Sequence, residues 1–460
     1  MVAHGGGKKR APSRQGRRAA RGSGRTPERG ALRRRRAQQS PIAATARPQT
    51  TVQQQLNARR RQAQGATATG RRTPPTKKSA QATRTRGKTP TKPGGDGATA
   101  EKARSKPSTS AASSIEDEDA ELARRNATKK LLPSQQVARS AELRSWLAET
   151  VMKGAERLLQ EFQSVSHYLP PDLSTTAFGR NKQRNRYDDV VCHDGTRVRL
   201  QDGSPDYIHA NWVHSYTEPR KFICAQGASL PVLSLRPMKS TVADFWRMVW
   251  QREVRCILML CRFVEGGGDK CAPYYPSELG KSMSVAGGMS VRKMGERDVT
   301  HGRGTAASWI ESTLTLEKGG VQKKIVHLQL TTWPDKGVPA TGSGLIALMG
   351  TTRQAAGSGP LLVHCSAGIG RTGTFVALDM AIAALQRGQS PDVADAVRRL
   401  RRQRALAVQT DEQYLFLHYA LAEHIALRLL SPTAAQDPRL QRFLADCRQR
   451  FAPLDTSEFI

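Results

Sequence analysis

Apolar residues first recur at helical spacing in "AELRSWLAETVMKGAERLLQEFQSV", where Leu143, Leu147, Val151, Leu158 and Phe162 share one side of a helix. Downstream, "TRVRL" and "FICAQ" read as strands, "STVADFWRMVWQREV" as an amphipathic helix and "RCILMLC" as a buried strand. Two alternating runs meet at Gly-Gly in "STLTLEKGGVQKKIVHLQL", the mark of a hairpin. "PLLVH" is a short apolar strand and "TGTFVALDMAIAAL" a helix just after it. "PDVADAVRRLRRQR" and "TDEQYLFLHYALAEHIALRLL" supply two more helices. The pattern predicts an α/β domain over 136–430, a mixed β-sheet with helices packed on it. A C-terminal extension, 431–460, adds one helix. "SVAGGMSVRKMGERDVTHGRGTAAS" is Gly-rich and expected to be a mobile surface excursion. The basic run "RRLRRQR" (398–404) is expected to be a solvated helix face.

Before 136 the periodicity vanishes. Residues 1–115 hold 28 Lys/Arg against 3 Asp/Glu, +25 of the chain's total +34, and no aromatic precedes Trp146. Such a segment cannot bury enough apolar surface to offset its ordering entropy. Residues 1–135 are therefore expected to be a long disordered basic tail and linker. Its start, "MVAHGGGKKR", lacks the apolar core of a signal peptide, and no run of 18 apolar residues follows. Seven dispersed cysteines (Cys192, Cys224, Cys256, Cys261, Cys271, Cys365, Cys447) form no C-x2-C pair. That spacing argues against a disulfide framework and against a zinc site. A reducing compartment follows: the cytoplasm, with the nucleus open to a basic tail. Lacking aromatics, the tail has no stacking platform for bases. Its expected partners are polyanions, nucleic acid or an anionic membrane surface, held without sequence preference. The chain is expected to be a monomer.

The stretch "VHCSAGIGRTG" (363–373) carries two overlapping spacings. Gly368, Gly370 and Gly373 spell G-x-G-x-x-G; Cys365 and Arg371 spell C-x5-R. A dinucleotide turn needs an acid closing a following strand about 20 residues on. Asp392 lies near that distance, but in "QSPDVADAV" Ser390 reads as a cap, Pro391 as the first helical residue and Asp392 as part of the first turn. A phosphate-ester site uses more of the residues. After the strand, the N–H groups of Ser366, Ala367, Gly368, Ile369, Gly370 and Arg371 can curl into an anion cradle at a helix N-terminus. Arg371 offers a planar fork to two phosphate oxygens. Cys365 faces the same positive field, which favours a thiolate, and Thr372 can donate to its sulfur. A leaving group then needs a proton donor. "TTWPDKGVP" places Asp335 between a stiff Pro334 and a hinge at Gly337, a composition suited to a closing loop. In "VQTDEQY", Gln409 can place a water, with Gln413 behind it.

With these residues, the chain resembles a class I, Cys-based protein tyrosine phosphatase of the non-receptor type, over about 140–427. "RNRYDDV" resembles the phosphotyrosine-recognition loop, and "DYIHANWV" the "DYINA" segment. "FICAQGA" is similar to "YIATQGP", "DFWRMVW" to "DFWRMIW", and "KCAPYYP" to "KCxxYWP"; "TTWPDKGVP", "VHCSAGIGRTG" and "VQTDEQY" complete the set. The resemblance implies the phosphatase fold and hydrolysis of phosphotyrosine proteins through a phosphocysteine, with no cofactor and no metal. It implies that Cys365 is the nucleophile and that 366–371 bind phosphate. Asp335 would be acid then base, and Gln409, supported by Gln413, would position water. Tyr187 would wall the pocket, Asp189 would hold the substrate main chain, and Lys270 and Glu265 would order the acid loop and Arg371. The sequence departs from the family at Asp188, where a basic residue is common, and at Lys336. Ala228 replaces a usual Pro, with "LPVLSLRPM" inserted after it. Two further readings remain: an RNA 5′-phosphatase with the same C-x5-R chemistry, and a phosphotyrosine-binding scaffold with a polyanion-binding tail.

Overall fold

The computed structural model describes residues 133–451 apart from 204, 217, 219–220, 230–239, 302–306, 335–336 and 340, with side chains from residue 139 onward. The basic tail up to residue 132, the whole insertion 230–238, Asp335 and Lys336, and the extension beyond Phe451 lie outside the described residues.

The chain opens with α1 (Pro133–Ser166) and the short α2 (Thr176–Arg180), followed by β1 (Arg197–Arg199), β2 (Tyr207–Val213) and β3 (Phe222–Ala225). Then come α3 (Val242–Gln251), β4 (Cys256–Met259) and a small separate hairpin, β5 (Val264–Glu265) with β6 (Gly268–Asp269). β7 (Ser282–Val285), β8 (Met289–His301), β9 (Ala307–Lys318) and β10 (Val321–Leu330) precede α4 (Gly342–Ala356). The last part is β11 (Leu361–His364), α5 (Gly370–Gln386), α6 (Val393–Gln403), α7 (Asp411–His424), α8 (Pro432–Ala435) and α9 (Pro438–Phe451).

Among the described residues, nine strands form one mixed sheet in the order β1-β2-β3-β11-β4-β10-β9-β8-β7. The centre is parallel, β3 with β11, β11 with β4 and β4 with β10; the flanks are antiparallel. β11 and its neighbours β3 and β4 are buried along their whole length. That is why they read as unbroken apolar runs rather than alternating ones. The core covers one sheet face with Phe245 of α3, which packs edge-on against His364. α4 and α5 pack on the central strands, and α7 packs against both of these and against α1 and α9.

Four expectations are corrected. The Gly-rich stretch expected to be a mobile excursion is instead sheet over 284–301: β7 and β8 pair across Gly287–Gly288 and bury Val285, Met289 and Val291. The first helix breaks at Gly154 (φ 67°, ψ 172°), a conformation outside the helical basin. The cap before α6 is Asp392 itself, whose carboxylate accepts from Asp395 N at 2.8 Å, so the helix begins at Val393. The run 398–404 is only in part a solvated face: Arg399 and Arg402 are exposed, but Arg401 and Arg404 are buried.

Candidate active site

β11 delivers Cys365 to the mouth of a tight loop that ends where α5 begins at Gly370. Cys365 is buried, and the Gly368 N–H donates to its Sγ at 3.2 Å. Gly368 sits at φ +71°, and a Cβ there would land on the Ala225 carbonyl. The loop is pinned from both sides. Gly227 N donates to Ser366 O at 2.9 Å, and Val408 N donates to Ile369 O at 3.0 Å. Val408 adopts φ 59° and Leu406 φ 66°. For side chains with a Cβ such backbone costs about 1–3 kcal/mol each, so the surroundings must hold it. The α5 N-terminus adds its dipole to the same concavity. Thr372 does not reach the sulfur: its hydroxyl is buried with no hydrogen-bond partner among the described residues.

Arg371 projects from the first turn of α5. Its Nη1 donates to Glu265 Oε1 at 2.7 Å and its Nη2 to Glu265 Oε2 at 2.9 Å, a bidentate pair. Burial pulls the guanidinium pKa down, but the Glu265 carboxylate overrides that and leaves it above its usual value. The same fork reaches Leu260 O at 3.0 Å and Pro334 O at 3.1 Å. The β5–β6 hairpin thus fixes Arg371, and Arg371 grips the residue before Asp335. Trp333 Nε1 donates to Gly337 O at 2.9 Å.

Tyr187 is 36% exposed, and its hydroxyl lies 2.8 Å from Ser366 Oγ, so the ring stands beside the cradle. Arg186 anchors it through its backbone N–H on Gln226 Oε1 at 3.0 Å and its guanidinium on Ser229 Oγ at 3.3 Å and on Asp269 O. Asp188 and Asp189 are exposed beside it. Lys270 follows β6, its N–H on Phe263 O at 2.8 Å. Gln413 accepts from Gln409 N at 2.9 Å and completes a capping box with Thr410. A Cβ on Gly370 would stand 3.0 Å from Gln409 Oε1 and 3.1 Å from Gln413 Nε2, so both amides face the cradle. The structure therefore brings Cys365, residues 366–371, Tyr187, Gln409 and Gln413 together around one concavity.

Sequence reasoning missed the ring of support behind them. Arg404 Nε donates to Gly368 O at 3.0 Å and Nη2 to Ala367 O at 3.0 Å. Its Nη1 donates to Asn211 Oδ1 at 2.7 Å. Arg401 spreads over Val165, Ser166, Ala407 and Val408 carbonyls; burial lowers its pKa to about 10. The signal was present: Val393, Val397, Leu400, Arg401 and Arg404 recur at helical spacing, so two arginines sit on the apolar stripe. Beneath Cys365, Tyr274 OH lies 2.8 Å from His364 Nε2 and 2.6 Å from His327 Nε2. A hydroxyl donates once, so one imidazole must donate to it. The His364 Nδ1 contact with Cys365 O at 3.3 Å assigns that proton to Nδ1. Tyr274 then donates to His364, and His327 donates to Tyr274.

A family model described as protein-tyrosine phosphatase matches residues 181–423, just over half of the chain. The chain belongs to that family. Receptor-type tyrosine-protein phosphatase C of Homo sapiens is 33% identical over 353 residues, covering 74% of this chain and 25% of that protein. Tyrosine-protein phosphatase non-receptor type 9 of Rattus norvegicus is 37% identical over 262 residues, covering 53% of this chain and 42% of that protein. Receptor-type tyrosine-protein phosphatase zeta of Rattus norvegicus is 36% identical over 290 residues, or 58% of this chain. The chain thus spans 12–42% of the length of these relatives, and both receptor and non-receptor types are among them.

Proposed function

We propose that this protein hydrolyses phosphotyrosine on proteins through a phosphocysteine intermediate. The observation that carries the reading is the Gly368 N–H on Cys365 Sγ, at the mouth of a loop that also presents Arg371 and abuts Tyr187. The Cys365 thiolate attacks phosphorus while the cradle N–H groups and Arg371 hold the oxygens. The tyrosyl oxygen leaves as its bond to phosphorus breaks, and Asp335 gives it a proton. Asp335, now a carboxylate, takes a proton from water placed by Gln409; that water displaces the thiolate and frees inorganic phosphate. Tyr187 packs on the substrate ring, Asp189 receives its main chain, and Lys270 supports the acid loop. We place the protein in the cytoplasm, as a monomer, with a basic tail that binds polyanions without sequence preference.

Assaying one preparation on a phosphotyrosyl peptide, a phosphoseryl peptide and a 5′-triphosphate RNA tests this. Turnover is expected on the first alone, and Cys365→Ser should abolish it while phosphopeptide binding persists. Turnover of the RNA, or a Cys365→Ser variant retaining more than about 1% of the rate, would sink the reading.

A further inference from the structure

We propose that Arg404 charges the nucleophile loop from behind, polarising the Ala367–Gly368 peptide so that its N–H favours the Cys365 thiolate and a bound dianion. The inference deepens the phosphatase reading above and rests on it. Its basis is one line of atoms. Arg404 Nη2 donates to Ala367 O at 3.0 Å. That carbonyl and the Gly368 N–H are the two edges of a single peptide unit. The N–H edge points at Cys365 Sγ, 3.2 Å away. A cation on the carbonyl edge withdraws electron density across the amide and strengthens the N–H as a donor. Arg404 Nε on Gly368 O does the same for the next peptide, whose N–H belongs to Ile369.

Two guanidiniums serve this loop, and their charges are not equivalent. Arg371 is matched by the Glu265 carboxylate. Arg404 is fully buried, and among the described residues no carboxylate lies within ion-pair distance of it. Its other partners are neutral: the Asn211 amide at 2.7 Å and His209 Nδ1, 3.2 Å from both Nη1 and Nη2. His209 Nε2 lies 2.8 Å from Val190 O, a group that only accepts, so Nε2 carries the proton and Nδ1 is bare. Burial first, then Arg404 itself, pushes the imidazole pKa down to about 3 and keeps it neutral. An uncompensated buried cation is costly. What offsets the cost here is carbonyl dipoles, and the charge is spent on the loop rather than on a partner.

The test uses the full chain and two readouts that need no substrate: inhibition by inorganic phosphate, and the rate of Cys365 alkylation by iodoacetamide at pH 6. Arg404→Met should raise the phosphate inhibition constant about ten- to a hundredfold and slow alkylation by a similar factor. Arg404→Lys keeps the charge without the fork and should recover most of both. A Lys variant as weak as the Met variant, or a Met variant within about threefold of wild type, overturns the proposal. His209→Asp guards against loss of folding. It keeps Arg404 and places a carboxylate against it, so phosphate should bind about tenfold more weakly; unchanged binding also overturns the proposal. Phosphotyrosyl-peptide turnover by the wild type runs in parallel. Its absence with phosphate binding intact would remove the substrate reading and leave the role of Arg404 standing.

Discussion

Gly368 carries two demands at one position. It needs a left-handed backbone at φ +71°, and it needs room where a Cβ would meet the Ala225 carbonyl. Gly368→Ala is therefore expected to tilt the N–H that reaches Cys365. Since misplacement of about 1 Å costs on the order of a hundredfold in rate, turnover should fall at least that far. A kcat within tenfold of wild type on a small aryl phosphate would contradict this. Residues of this kind were legible because their chemistry is tied to spacing: a Cys, glycines and an Arg one loop apart. Arg404 was not, since a lone charged side chain in a basic run reads as solvent-facing. Only its phase against Val393, Val397 and Leu400 set it apart. Asn211 and His209 were hidden by the same habit of reading polar residues as surface.

Elements with an unbroken apolar run or strict helical spacing were legible, among them β4, β11, α5 and α7. β2 was missed as a strand because His209 and Asn211 interrupt its apolar character, although all but one of its residues are buried. β7 and β8 were missed because glycines mask a pairing that only β9 makes visible. α9 has a role that no spacing announces. One face of α7 presents Phe416, Tyr419 and Glu423. Trp333 packs on Phe416 with ring centroids 6.4 Å apart. Ser343, at the start of α4, donates its N–H to Glu423 Oε2 at 3.2 Å. Phe451 of α9 meets Phe416 at 6.0 Å and Tyr419 at 5.6 Å, and Arg448 Nε donates to Tyr419 OH at 3.1 Å. α9 and both ends of the segment 333–343 therefore share a surface. Phe451 is half-buried, so Phe451→Ala should cost about 1–3 kcal/mol of stability. It should also lower kcat by about two- to fivefold with little change in KM, since loop closure rather than binding loses support. An unchanged kcat beside a lowered Tm would show that the contact is structural only.

For the whole molecule, stability should depend on pH through four buried imidazoles. Burial, the largest cause in each case, lowers the pKa of His209 and His327 to about 3 and of His364 and His418 to about 4. Unfolded, each titrates near about 6.5, so the unfolded chain binds more protons below that value. Their contribution is complete above about pH 6.5 and is lost as pH falls from there, towards 4 for His364 and His418 and towards 3 for His209 and His327, by up to about 1.4 kcal/mol per group per pH unit. Urea unfolding at pH 7.5, 6.5 and 5.5 should show a plateau and then a fall. His418, whose ring nitrogens find no hydrogen-bond partner among the described residues, is the cleanest to remove. His418→Phe should flatten the slope, and a slope unchanged in that variant would count against this account. The sheet order carries a further consequence, for the sequence of events in folding. β8, β9 and β10 are joined by short links and can zip locally. β11 pairs with β3, about 140 residues earlier, and with β4, about 105 residues earlier. Such long-range parallel pairings close large loops and form slowly. β11, the strand that leads into Cys365, is therefore among the last to be built in, so the loop around that thiol takes shape only when the rest of the sheet is already in place.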